Sequence, residues 1–253
     1  MDMDIHTNHG GVIIQNHFSS YVLNDVVNSL SNIQKHYIEK HGFGSFLRIN
    51  SFDVPLGLVQ WIIQHTHVPS FQFQHMKKKI QITTSMVNYI FGFPSGKNSV
   101  STTISEDSSS STKILKQQYI ANGMTTRQGL IDTLLHNEDE VSFIQQFVML
   151  SIDTVLCPGL QNHLNLDYLC CVADISKIKS FNWNSHVLHY LGLEILKFHA
   201  YIDSFHAGYP STKFNVCGCV PLLAVSNLHI LFLYLFCLYF FHIIFLHLII
   251  FPF

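Results

Sequence analysis

The chain has 253 residues and a net charge of -2, with 14 Lys and Arg against 16 Asp and Glu. That balance offers no electrostatic case for nucleic-acid binding, which needs a basic domain or a basic stripe. The length suits one well-buried core with an appended element. Six cysteines at irregular spacing argue against a disulfide framework, and so does a polar start carrying Asp2, Asp4, His6 and His9; reduced thiols in the cytosol or nucleus are expected.

Residues 1–18 read as a flexible arm, in which Gly10-Gly11 interrupts any short strand over residues 12–14. From residue 19 to 225 the apolar spacing predicts a single, mainly α domain with a small β-hairpin. Val22, Val26, Leu30, Ile33 and Tyr37 fall on one helix face, and Gly42 stops that helix with a left-handed cap. Asp53 stands as an N-cap with Pro55 in the first turn of a helix that turns Leu58, Val59, Trp61 and Ile62 inward. Phe71–Phe73 and Ile80–Ile82 alternate apolar with polar residues, which predicts the hairpin, and Met76-Lys77-Lys78-Lys79 is its solvated turn.

Thr83 or Thr84 caps a helix through Val87 and Ile90 that ends at Gly92. Residues 98–112 turn to Ser, Thr and Asn, and Ser108–Ser111 has nothing to bury; a disordered surface loop is expected. A helix follows from Thr126 to His136 with Leu130, Ile131, Leu134 and Leu135 as its buried edge. Asn137-Glu138-Asp139-Glu140 opens the next, acidic where the helix dipole is positive. Phe143, Phe147, Leu150 and Val155 continue it as a buried helix until Cys157-Pro158 forces the backbone out of the α region. A short stripe, Leu166, Leu169, Cys170 and Ala173, ends near Asp174. Asn182-Trp183-Asn184 then opens a long helix through Val187, Leu188, Leu191 and Ile195 to about Tyr201, before a Gly/Pro/Ser loop from His206 to Lys213.

Candidate chemistry is thin. Gly92-Phe93-Pro94-Ser95-Gly96-Lys97-Asn98 invites a phosphate-loop reading, but the glycines are one residue too close, Asn98 replaces the Mg²⁺-binding hydroxyl, and the loop follows a helix instead of preceding one. His65 with His67, His186 with His189, and Cys217 with Cys219 are possible metal ligands, yet no second pair follows at finger-like spacing and no His-Glu-x-x-His run occurs. Lys177, Lys179 and Lys197 lie in ordinary helix or turn contexts, no Gly-x-Ser-x-Gly elbow is present, and Trp61 and Trp183 read as core. No enzymatic activity, cofactor or metal is expected.

Several spaced blocks nevertheless carry a likeness. They are Gly42-Phe43-Gly44 with Leu47; Trp61; Ile80, Ile82, Thr83 and Val87; Gly92-Phe93-Pro94-Ser95-Gly96; Phe147, Leu150 and Cys157-Pro158; Tyr168 and Asp174; Asn182-Trp183 and Val187; and Gly218-Cys219 with Leu222 and Leu223. In this order, from about Tyr37 to Val225, they resemble the plant mobile domain, also called the aminotransferase-like plant mobile domain, of transposons and host proteins derived from them. The resemblance implies structural roles for Gly42, Phe43, Gly44, Trp61, Gly92, Pro94, Gly96, Phe147, Cys157, Pro158, Asp174, Asn182, Trp183, Gly218 and Cys219. It also implies a nuclear, non-enzymatic protein that works through protein partners in silencing, genome maintenance or meristem development.

Residues 226–253 depart from that pattern. His229–Phe253 contains no Asp, Glu, Lys or Arg and as a helix is long enough to cross a hydrocarbon core of ~30 Å. A membrane anchor is one reading, although His242 and His247 are costly at membrane depth. A translated intron or truncated remnant is the other, because the tail starts in the middle of a family block.

Overall fold

Short polar side chains ahead of apolar stretches set where most helices begin. Ser19, Thr83, Thr126 and Asp139 each accept a hydrogen bond from the N–H three residues on, starting α1 (Ser20–Ser29), α4 (Thr84–Phe91), α6 (Arg127–Leu135) and α7 (Glu140–Ser151). The computed structural model describes residues 12–75, 78–102, 110–160, 163–206 and 213–225. The other elements are β1 (Ile13–Asn16), α2 (Asn32–Lys40), α3 (Leu56–Gln64), β2 (Thr66–His67), β3 (Gln72–His75), β4 (Lys78–Gln81), α5 (Ser110–Ala121), α8 (Leu169–Val172), α9 (Trp183–His206) and β5 (Lys213–Val216). The described residues are mainly helical, as the apolar spacing predicts, and form two small sheets. The hydrophobic tail lies outside the described residues. Among the described residues no helix is long and apolar enough to cross a membrane.

The helix expected from Ser20 to Gly42 is in fact two. Ser31 accepts from the Gln34 N–H while the Gln34 side chain accepts from the Ser31 N–H, a reciprocal box that starts α2 afresh. The break rotates the stripe, so Leu30 is buried but Ile33 is 64% exposed. Gly42 (φ 84) then turns the chain in the left-handed region, as expected. α3 starts two residues later than its expected cap. Pro55 holds the cap position without a side-chain bond, and Asp53 instead stands beside Tyr21, where its negative charge pushes the Tyr21 phenol pKa up.

Residues 12–18 do not behave as an arm. Val12 and Ile14 are buried, and β1 pairs parallel with β5, Ile13 opposite Lys213 through Asn16 opposite Val216. The expected hairpin is present as β3 and β4, with Phe73 opposite Ile80, and β2 adds a third antiparallel strand. The Ser-rich loop is also shorter than its composition implies. α5 starts at Ser110 and buries Thr112, and the Ser101 carbonyl accepts the thiols of Cys170 and Cys171 at 3.0 and 3.1 Å; residues 103–109 lie outside the described residues.

α7 is the centre of the core. Every residue from Phe143 to Ser151 is buried, and the helix packs against α2, α6 and α8. It does not stop at once but widens into a π-helical turn over Ile152–Leu156, closed by the Cys157 N–H on the Ile152 carbonyl, before Pro158 ends it. α9 lies across from it and buries Trp183, Val187, Leu191, Ile195 and Phe198 along one stripe.

Candidate functional site

The family-type residues gather into two knots. In the first, the loop after α4 docks onto the start of α9. The Trp183 N–H donates to the Pro94 carbonyl (3.1 Å), the Gly96 N–H to Phe181 (3.0 Å), the Asn98 N–H to Ser180 (2.9 Å) and the Asn182 N–H to Asn98 (2.7 Å). A Cβ on Gly96 would lie 2.0 Å from the Ser180 carbonyl oxygen, so only glycine fits. Beneath the loop sit Phe43 and Phe46. Phe43 lies 6.3 Å from the Trp183 ring, and Phe46 lies 5.2 Å from Phe93 and 6.1 Å from Phe147. The N–H groups of Gly96 and Asn98, which a phosphate would need, are thus already engaged by carbonyls.

In the second knot the Gly218 N–H donates to the Pro158 carbonyl at 3.1 Å. This sets the buried thiols of Cys157, Cys217 and Cys219 around the junction of the π turn and β5. Trp61 and Asp174 belong to neither knot. Trp61 stacks among His65, Phe73 and His75 at 4.8–5.1 Å. Asp174 caps an exposed turn, pairs with Lys177 at 3.1 Å, and has its carboxyl pKa lowered chiefly by the Ser176 hydroxyl.

A recess of about 870 Å³ opens beside this second knot. α7 and its π turn form one wall, α9 another, and β5 with residues 163–167 the rim. Two buried carboxylates face it. Asp153 on the π turn is held by Arg127 at 2.6 Å, and burial outweighs that cation and raises its pKa. Glu194 on α9, with its side chain 5% exposed, takes Lys197 at 2.5 Å and the Cys217 N–H at 3.3 Å, and so fastens β5 to α9. Tyr190, Cys157 and Cys217 complete the interior of the recess.

The reactive groups of this region are held in their neutral forms. Burial pushes the Cys157 and Cys217 thiols up to about 12, the latter helped by the Glu194 charge, and raises Cys219 and Tyr190 as well. Tyr168, also raised by burial, lies 2.8 Å from His186 Nε2, and burial drives that imidazole down to about 4. The other proposed ligand pairs are engaged too. His65 Nδ1 meets the Trp61 carbonyl at 2.7 Å and His67 Nδ1 the Ser70 hydroxyl at 2.8 Å. Among the described residues no three His, Cys, Asp or Glu side chains are placed to hold a metal ion.

Sequence reasoning passed over Asp153, Glu194 and Arg127. The signal was there for the two acids: each interrupts an otherwise apolar helical stripe, and buried carboxylates are rare unless paired. Their partners and the recess itself come from residues as distant as Lys116 and Lys213, which no local pattern connects.

Among the described residues the fold is a mainly helical domain in which the residues singled out by the resemblance serve mostly in packing. Residues 16–224 match a family described as a domain of unknown function (DUF8566). The chain belongs to that family. No curated protein matches the chain, and no solved structure does.

Proposed function

We propose that this chain is a non-enzymatic, transposon-derived protein of the plant mobile domain type, which acts in the nucleus through protein partners in silencing, genome maintenance or meristem development. The ordered blocks from Gly42 to Leu223 support the first half of that reading. The observation that supports the non-enzymatic part is the burial of the reactive side chains, Cys157, Cys217 and Tyr168 among them. A nucleophile needs a lowered pKa or an adjacent base poised near neutrality. Cys157 and Cys217 are pushed up to about 12 and His186 down to about 4, which leaves thiols without thiolate and an imidazole too weak to take their protons. A domain of this kind contributes shape and hydrogen bonds to an assembly, not chemistry.

The test is a loss-of-function line together with a tagged full-length chain. Nuclear enrichment of the tagged protein, with transposon transcripts rising when the gene is lost, is the expected result. Unchanged transcripts and a protein confined to the membrane fraction would sink the reading.

A second reading is favoured by one feature, the uncharged run His229–Phe253. There the chain is a single-pass membrane-anchored protein whose domain sits on the cytosolic face. Sequencing the spliced message across the codons for residues 225–229, with peptide mass spectrometry of membrane and soluble fractions, separates the two.

A further inference from the structure

Three helices each turn a polar stripe toward a second recess of about 520 Å³, a volume within the usual range for small-molecule sites. α5 contributes Gln118, Tyr119 and Asn122, α6 ends there with His136, and α7 contributes Gln145 and Gln146. Gln118 and Tyr119 lie four and three residues before Asn122, and Gln145 and Gln146 three and four residues after Ser142, so each set shares one helix face. Among the described residues no Asp, Glu, Lys or Arg lines this recess.

Its floor carries polar atoms that the fold leaves unused. Gln145 and Gln146 are 7% and 4% exposed on the most buried helix of the molecule. Gln146 is satisfied: its amide N–H donates to the Met124 sulfur at 3.3 Å, and its Oε1 accepts from Asn137 at 3.0 Å. Gln145 uses its amide N–H on the Ala173 carbonyl at 3.2 Å, which leaves its Oε1 to the recess. Tyr119 is 1% exposed, and its hydroxyl has no hydrogen-bond partner among the described residues. Buried polar atoms without partners are costly, and native structures seldom keep them without a use. At the rim His136 Nδ1 lies 2.9 Å from the Asp132 carbonyl.

We propose that this recess binds a small uncharged ligand with an amide-type edge, a hydrogen-bond donor beside an acceptor, as carboxamides and nucleobases carry. Gln145 Oε1 takes the ligand N–H and the Tyr119 hydroxyl donates to the ligand carbonyl. Gln118 and Asn122 complete the edge at the mouth, and Leu115 and Met124 supply apolar walls. Amide side chains read such edges in pairs. A charged ligand finds no counter-ion here and would lose its hydration without return.

Calorimetric titration of the full-length chain tests this with four probes: nicotinamide and uracil, and their carboxylate counterparts nicotinate and orotate. The expected result is binding of at least one neutral probe, with its carboxylate counterpart about tenfold weaker or more. Nicotinamide alone would mark a carboxamide ligand, and uracil alone a nucleobase. Tyr119→Phe should weaken the bound probe by about fivefold, the worth of one hydrogen bond, with an unchanged or higher melting temperature. Gln118→Ala, at an exposed position that folding does not need, should weaken it as well. Absence of binding by both neutral probes, equal binding by the carboxylates, or full affinity in Tyr119→Phe would each overturn the proposal.

Discussion

The indole N–H of Trp183 donates to the Ile178 carbonyl at 3.0 Å, five residues back, from a side chain with no exposed surface. One residue thus closes the turn that precedes α9 while filling the space between Phe43 and Phe181, whose rings lie 6.3 and 6.1 Å away. Trp183→Ala should cost roughly 3–5 kcal/mol through the cavity and the orphaned carbonyl. Trp183→Phe keeps most of the packing and should cost clearly less. Chemical denaturation of the two variants measures both, and a near-normal midpoint for the alanine variant would contradict the packing role.

Gly96 faces a backbone oxygen, not a flexible side chain. Gly96→Ala must push the loop away from Ser180, at a cost of about 2–3 kcal/mol by the scale of overpacked sites. Gly57, which has nothing within 4 Å of its would-be Cβ, is the matched control. Gly57→Ala in the first turns of α3 should be neutral or stabilising by up to about 1 kcal/mol.

Removing Ser101–Ser111 should destabilise the domain by about 1–2 kcal/mol, because the cut takes the Ser101 carbonyl from two thiols and the first two residues from α5. A shift of several degrees in melting temperature is the expected readout. An unchanged melt would show that these contacts contribute nothing.

His186 makes stability depend on pH in a definite window. Its folded pKa, about 4, lies below the ordinary histidine value of 6.5, so the unfolded chain takes up a proton that the folded one refuses. The contribution is therefore complete above pH 6.5 and is lost as pH falls toward 4. His186→Gln offers Tyr168 an acceptor that does not titrate. Its melting temperature should fall less between pH 6.5 and 4.5 than that of the parent protein, and parallel curves would rule out the assignment.

Glu140 acts lower on the scale. Its carboxylate accepts Lys40 at 2.7 Å and His41 at 2.9 Å, and those two bonds, Lys40 first, hold its pKa below the usual carboxylate range. Stability from this group is present above the ordinary carboxylate pKa and disappears as pH drops through the lowered one. Glu140→Gln should flatten the acid limb below about pH 4.5, the ordinary glutamate value, and leave the region near pH 6 unchanged.

Local chemistry explains which parts of the fold could be read from sequence alone. The cap at Thr83, the helix starts near Thr126 and in the acidic run before Val141, the turn at Gly92 and the stop at Pro158 each depend on residues within a few positions, and each stands where its spacing implied. The Ser31–Gln34 box was equally local, but the apolar steps across Leu30 and Ile33 masked it. β1 had no such signal, because four residues after a Gly-Gly pair reveal nothing until β5 is known. Both recesses were invisible for the same reason. Gln145 and Tyr119 look like a helix polar residue and a core aromatic until three helices bring their polar atoms together.

The pairing of Ile13 with Lys213 has a consequence in time as well as space. The two strands lie 200 positions apart, and a ribosome adds roughly 5–20 residues per second. β1 therefore waits on the order of 10–40 s during synthesis with its backbone donors and acceptors unmatched, a strand edge open to other chains. The clasp closes last, so the nascent protein is most vulnerable to misassembly while its helices are already in place.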